Sequence, residues 1–135
     1  MQRNNILSEY DHKRLEQLIA RKWSEKDFDN VQKLKSGISN ATVVSSEKIP
    51  GEIVTMNSRV VLEDLSSGSE FDFQIVFPSN ANIEKGKISI LAPMGTAVLG
   101  SKVGDTVDFV SPKGIRRLKI KKMLYQPESE GDWYI

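Results

Sequence analysis

The sequence contains no cysteine and a single histidine, His12. The lack of thiols excludes disulfides, thiolate nucleophiles and cysteine-ligated zinc or iron–sulfur sites. One imidazole argues against a Ser-His-Asp site or a histidine-ligated metal centre. We therefore expect neither a metal nor an organic cofactor.

Long apolar runs and an excess of charge of one sign are also missing. Nineteen Lys and Arg against eighteen Asp and Glu leave a formal charge of +1 on 135 residues, so no global field attracts nucleic acid or a membrane. No apolar run approaches the roughly 20 residues that span a bilayer, and no signal peptide is evident. We expect a soluble, cytoplasmic, monomeric protein without sequence-specific DNA contacts, built as one domain with an appendage.

Residues 8–40 carry two apolar runs with helical spacing. Each run begins with a Ser-x-x-Asp capping signature, Ser8 with Asp11 and Ser24 with Asp27. The apolar positions are Leu15, Leu18, Ile19 and Trp23 in the first run, and Phe28, Val31, Leu34 and Ile38 in the second. Because the connection is short, the pattern predicts an antiparallel helical hairpin, a short coiled coil roughly 22 Å long.

Beyond a polar connector the apolar period falls to two, which indicates strands. Pro93 to Gly100 is typical of a helical turn, with proline at its first position and glycine after its end. The predicted strands are residues 59–63, 71–77, 87–91, 106–111 and 115–125. The predicted fold class is α+β, with a helical hairpin at residues 1–44 and a mostly antiparallel sheet domain with one short helix at residues 45–135.

Two segments resemble functional motifs. The run from Gly95 to Lys102 imitates a phosphate loop, but its serine precedes its lysine, so a packed helical turn is favoured. Glu25, Asp27 and Asp29 crowd the tip of the hairpin, where carboxylates could hold a divalent cation. Acids in the first turn of a helix are also what the helix dipole favours, and we adopt this plain interpretation.

Residues 113–122 contain six basic residues and no acid. Strand alternation places Arg117, Lys119 and Lys121 on one face. The run has no interleaved aromatic residue for base stacking. The pattern therefore favours a solvated sheet face, or a patch for an acidic protein, over a nucleic-acid groove.

Four motifs in register carry a family resemblance. They are Val54–Val60, Leu91–Gly100, Val103–Asp105 and Tyr125–Glu128. Together they resemble the Rnk proteins, which are called regulators of nucleoside diphosphate kinase and belong to the GreA/GreB transcript-cleavage superfamily. The resemblance extends from about Ile53 to Asp132, whereas the N-terminal hairpin matches by architecture more than by sequence.

The resemblance implies an FKBP-like C-terminal domain that docks on RNA polymerase at the mouth of its secondary channel, with the hairpin pointing inward. The implied docking residues are Ala92, Pro93, Met94, Gly95 and Thr96, because the equivalent Gre segment is thought to meet the polymerase rim. We expect Gly95 to leave the backbone open to another chain. We also expect Met94 to be replaceable with little change in thermal unfolding.

The hairpin departs from the Gre pattern. In GreA and GreB it is much longer and ends in an acidic motif that helps to hold the catalytic magnesium of the polymerase, and this motif is absent from Trp23–Asp29. We therefore expect a non-catalytic regulator, not an enzyme, that competes with Gre-type factors. The alternatives are a short Gre-type cleavage factor that uses Glu25, Asp27 or Asp29, and an RNA-binding module that uses the basic strand.

Overall fold

The computed structural model describes residues 5–133 and 135. Two helices open the described chain, and a third, short helix lies inside the sheet region. The helices are α1 (Glu9–Ile19), α2 (Glu25–Ser39) and α3 (Pro93–Val98). The strands are β1 (Ile6–Ser8), β2 (Thr42–Val44), β3 (Arg59–Asp64), β4 (Glu70–Val76), β5 (Lys87–Ser89), β6 (Thr106–Ser111) and β7 (Gly114–Tyr125).

The helical hairpin is confirmed, but its first helix is shorter than predicted. At the start of α1 the amide of Asp11 donates to Ser8 Oγ at 3.0 Å, as the capping signature requires. At α2 the hydroxyl of Ser24 instead donates to the Asp27 carboxylate at 3.1 Å, so the second cap differs from the prediction. Trp23 lies in the connecting loop, where its Nε1 donates to the Leu18 carbonyl at 3.1 Å. The eleven residues of α1 span about 16 Å.

The hairpin packs on the sheet and shares its core. A single cluster of buried residues contains Leu15, Leu18, Leu34, Ile38, Val60, Phe73, Val98 and Ile120. Phe28, which the periodicity assigned to the buried stripe, is 57% exposed. It lies in the first turn of α2, beside the loop where α1 has already ended, so no neighbouring helix covers it.

The main sheet has the order β5-β4-β3-β7-β6, with antiparallel pairs throughout except for the parallel pair β4–β5. The long strand β7 lies between β3 and β6, and its Leu118 and Ile120 are buried as the alternation predicted. A second, unpredicted sheet pairs β1 with β2 in parallel and joins the two ends of the helical hairpin. Within the described residues, no helix is both long and apolar enough to cross a membrane.

Candidate functional site

Two of the family-like motifs meet in a buried polar network. Thr55 Oγ1 donates to Glu128 Oε1 at 2.7 Å, and Ser58 Oγ accepts the amide of Thr55 at 2.9 Å. Gln126 Nε2 donates to the Ile53 carbonyl at 2.7 Å. Burial raises the pKa of the Glu128 carboxyl above its ordinary value. These motif residues hold the C-terminal segment against the loop before β3, so their role is structural.

Asp11 connects α1 to the same loop. Its side chain is 2% exposed, and its two oxygens accept from Arg14 Nη2 at 2.7 Å and from the Met56 amide at 3.0 Å. Burial raises the pKa of Asp11, although the Arg14 guanidinium opposes that shift. The sequence analysis found Asp11 as a capping residue and missed this tertiary role, because nothing local marks Met56 as its partner.

The segment Ala92 to Thr96, here called the α3 segment, begins at a tight corner after β5. The amide of Ala92 donates to the Ser89 carbonyl at 3.0 Å, and Thr96 Oγ1 donates to the Ile90 carbonyl at 2.6 Å. A Cβ on Gly95 would lie 2.5 Å from that same Ser89 carbonyl oxygen. Gly95 is therefore required by an approach of its own chain, which corrects the expectation that it leaves room for another protein.

The α3 segment remains accessible at four of its five positions. Ala92, Pro93, Met94 and Thr96 are half-buried, whereas Gly95 is buried. Met94 packs against the core cluster. Its replacement will cost some stability, which the sequence-based expectation did not allow for.

A groove of about 250 Å³ runs beside the α3 segment, between α2, α3 and β6. Pro93 and Thr96 line one wall, Phe109 and Val110 line another, and Lys33 of α2 lies at the rim. Sequence reasoning did not find this groove, because its walls come from three elements that are distant in the chain. It extends the accessible surface of the α3 segment.

The tip acids do not converge. Glu25 and Asp29 are exposed and lie four residues apart, so they share one side of α2, whereas Asp27 lies on another side and accepts from Ser24. Among the described residues, no group of three acidic, histidine or cysteine side chains could hold a metal ion. The arrangement fits the helix-dipole interpretation.

The basic strand faces solvent, and much of its charge is paired. Arg117 forms two contacts with Asp108, at 2.9 and 3.3 Å, and Lys121 lies 2.8 Å from Glu70. The paired acid raises the pKa of each of these two bases. Residues that alternate in sign across a sheet face offer phosphates no continuous positive track, so this face is a poor nucleic-acid surface.

Comparison with known proteins gives consistent results. The family model described as "Transcription elongation factor, GreA/GreB, C-term" matches residues 49–125. The regulator of nucleoside diphosphate kinase of Escherichia coli (strain K12) is 35% identical over 103 residues, which are 76% of this chain and 76% of that protein. Transcription elongation factor GreA of Clostridium botulinum (strain Alaska E43 / Type E3) is 34% identical over 113 residues, which are 84% of this chain and 66% of that protein.

A solved structure is also similar. The prokaryotic transcription elongation factor GreA/GreB from Nitrosomonas europaea superimposes with a TM-score of 0.75 at 34% identity, and the match covers 92% of this chain and 100% of that chain. The match therefore includes the helical hairpin as well as the sheet.

Proposed function

This chain belongs to the GreA/GreB family of transcription elongation factors, and from that premise we propose that it is a non-catalytic regulator that binds RNA polymerase. In this proposal residues 45–135 form an FKBP-like docking domain at the mouth of the secondary channel. Residues 1–44 form the short coiled coil that enters the channel. Occupation of the channel would exclude Gre-type factors.

The accessible α3 segment carries the proposal. It lies within the part of the chain that matches the family model. Its surface continues into the groove through Pro93 and Thr96. Half-buried Met94 offers a flexible thioether, which suits an adaptable protein contact. The other matching motifs are occupied in holding the fold together, so this segment is the one whose side chains remain available to a partner.

The geometry of the hairpin tip supports a role without cleavage. Glu25, Asp27 and Asp29 lie on different sides of one short helical stretch and form no ready oxygen cage. The hairpin is also short, with α2 of fifteen residues extending about 22 Å. A short Gre-type cleavage factor is the alternative, because GreA is among the relatives and the tip does carry exposed acids.

Exchanging Met94 for Gln tests the docking segment. We expect Met94→Gln to weaken binding to purified polymerase core about tenfold, since loss of a partly buried interface anchor costs about 1.4 kcal/mol or more. Met123→Gln is the matched control, because Met123 is also half-buried and packs against the same core cluster. Both variants should melt a few degrees below the parent.

Binding constants and melting temperatures measured together separate the outcomes. The proposed segment is supported when the two variants lose similar stability and only Met94→Gln loses affinity. Equal affinities for parent and Met94→Gln would place the docking surface elsewhere. Absence of binding by the parent chain would remove the proposed function itself.

A further inference from the structure

Two large apolar side chains are exposed together at the free end of the β6–β7 hairpin. Val110 and Ile115 lie directly opposite each other on the two strands, and they are 60% and 71% exposed. Scattered single apolar residues are normal on a protein surface, whereas an adjacent pair forms a patch. Nothing in the core explains this pair, because the side chains of both residues point to the solvent face of the sheet.

The hairpin end extends beyond the sheet and is internally braced. Strand β3 ends at Asp64, which is opposite Leu118, so the strand residues nearest the turn have no β3 neighbour. The turn is held by Ser111, whose Oγ donates to the Gly114 carbonyl at 2.8 Å and accepts the Lys113 amide at 3.2 Å. A braced, projecting pair loses little conformational entropy when a partner covers it.

The apolar pair is continuous with the α3 segment. Val110 lines the groove whose opposite wall contains Pro93 and Thr96. An element seated in this groove would therefore touch the α3 segment on one side and the hairpin end on the other. One surface, which we call the groove surface, comprises Pro93, Thr96, Val110 and Ile115.

The charges around the groove surface select an acidic occupant. Lys33 at the rim and Lys113 in the turn are exposed and form no ion pair within the described part of the chain. The acid of the groove wall, Asp108, is neutralised by Arg117 at 2.9 Å. The local charge available to a partner is thus positive, and carboxylates would complement it.

We propose that the groove surface receives an acidic protein element that inserts an apolar side chain between the α3 segment and the hairpin end. The inference rests on the proposed function, so the element belongs to RNA polymerase. A protein is favoured over a nucleic acid because Val110 and Ile115 are aliphatic and offer no ring on which a base could stack.

A matched pair of double variants tests this surface. Ile115→Ser combined with Lys113→Glu removes one apolar contact and reverses one charge at the hairpin end. Ile83→Ser combined with Lys85→Glu is the control, because Ile83 is 83% exposed and lies two residues from exposed Lys85, next to the opposite edge strand β5. A second pair on α2 compares Lys33→Glu, at the groove, with Lys35→Glu, which lies on another side of the helix.

Dissociation constants for polymerase core at low and high salt give the result. We expect the Ile115/Lys113 variant to bind at least tenfold more weakly than the parent, with a smaller salt dependence, and Lys33→Glu to bind several-fold more weakly. The Ile83/Lys85 and Lys35 controls should stay within twofold. All five proteins should show similar melting temperatures, since the altered side chains are exposed.

The outcomes distinguish the two proposals. If the parent binds polymerase and the groove variants bind equally well, the groove surface is wrong and the proposed function stands. Retained polymerase binding with loss of binding to single-stranded RNA would identify a nucleic-acid contact and also overturn the inference. If the parent does not bind polymerase, both proposals fail.

Discussion

Replacing Gly95 with alanine should lower the melting temperature by about 8 °C. The added Cβ would lie 2.5 Å from the Ser89 carbonyl oxygen and 3.3 Å from Ile90 Cα, which are backbone atoms. These atoms cannot yield easily, because Ala92 and Thr96 bond to the same two residues. Overpacking of this kind costs about 1–3 kcal/mol, which exceeds the gain of up to about 1 kcal/mol from replacing a helical glycine. The melting shift follows at about 4 °C per kcal/mol.

Gly37→Ala is the control for this change. Gly37 lies inside α2, and a Cβ there would meet no heavy atom within 4 Å. The same substitution should therefore raise the melting temperature by a few degrees, because only the helix-propensity gain remains. A Gly95→Ala protein as stable as Gly37→Ala would show that the corner after β5 relaxes freely, and the structural reason for this glycine would be wrong.

Asp11→Ala should destabilise the protein by about 2–3 kcal/mol at neutral pH. The change leaves the Met56 amide without its acceptor and removes the carboxylate beside the Arg14 guanidinium. An unsatisfied buried donor costs about 1–3 kcal/mol. Asp29→Ala is the control, because Asp29 is an exposed aspartate at the hairpin tip, and its loss should change stability by less than about 0.5 kcal/mol.

The cost of Asp11→Ala should also depend on pH. Burial raises the folded-state pKa of Asp11 above 3.8, so the folded protein binds the proton more tightly than the unfolded chain does. The stability that this proton supplies is fully present below pH 3.8 and is lost as the pH rises through the raised folded pKa. Denaturant unfolding of the parent and the variant should therefore show a larger difference at pH 3.5 than at pH 7. A difference that grows with rising pH would contradict the assigned direction of the pKa shift.

Sequence periodicity predicted the regular elements because each of them repeats its pattern several times. The alternation of β7 fixed which face is buried, and the runs of α1 and α2 fixed two helices. The strands β1 and β2 were missed because three residues are too few to show a period. Phe28 was misplaced because periodicity identifies a stripe but not where the partner helix ends.

The candidate site was less accessible to sequence reasoning, since its features depend on residues far apart in the chain. The role of Gly95 becomes visible only when Ser89 is placed against it. The partners that neutralise Arg117 and Lys121 lie 9 and 51 residues away. The groove surface needs α2, α3 and β6 in place at once. The motif that carries the α3 segment could be found, but the reasons for its individual residues could not.

Transcript cleavage in backtracked RNA polymerase complexes tests the central claim most directly. Transcript shortening is measured with this chain alone, and with a Gre factor in the presence of increasing amounts of this chain. The account predicts no shortening by the chain alone and a progressive loss of Gre-stimulated shortening as the chain occupies the channel. Shortening by the chain alone that disappears in a Glu25/Asp27/Asp29 triple-alanine variant would contradict it and identify a short cleavage factor.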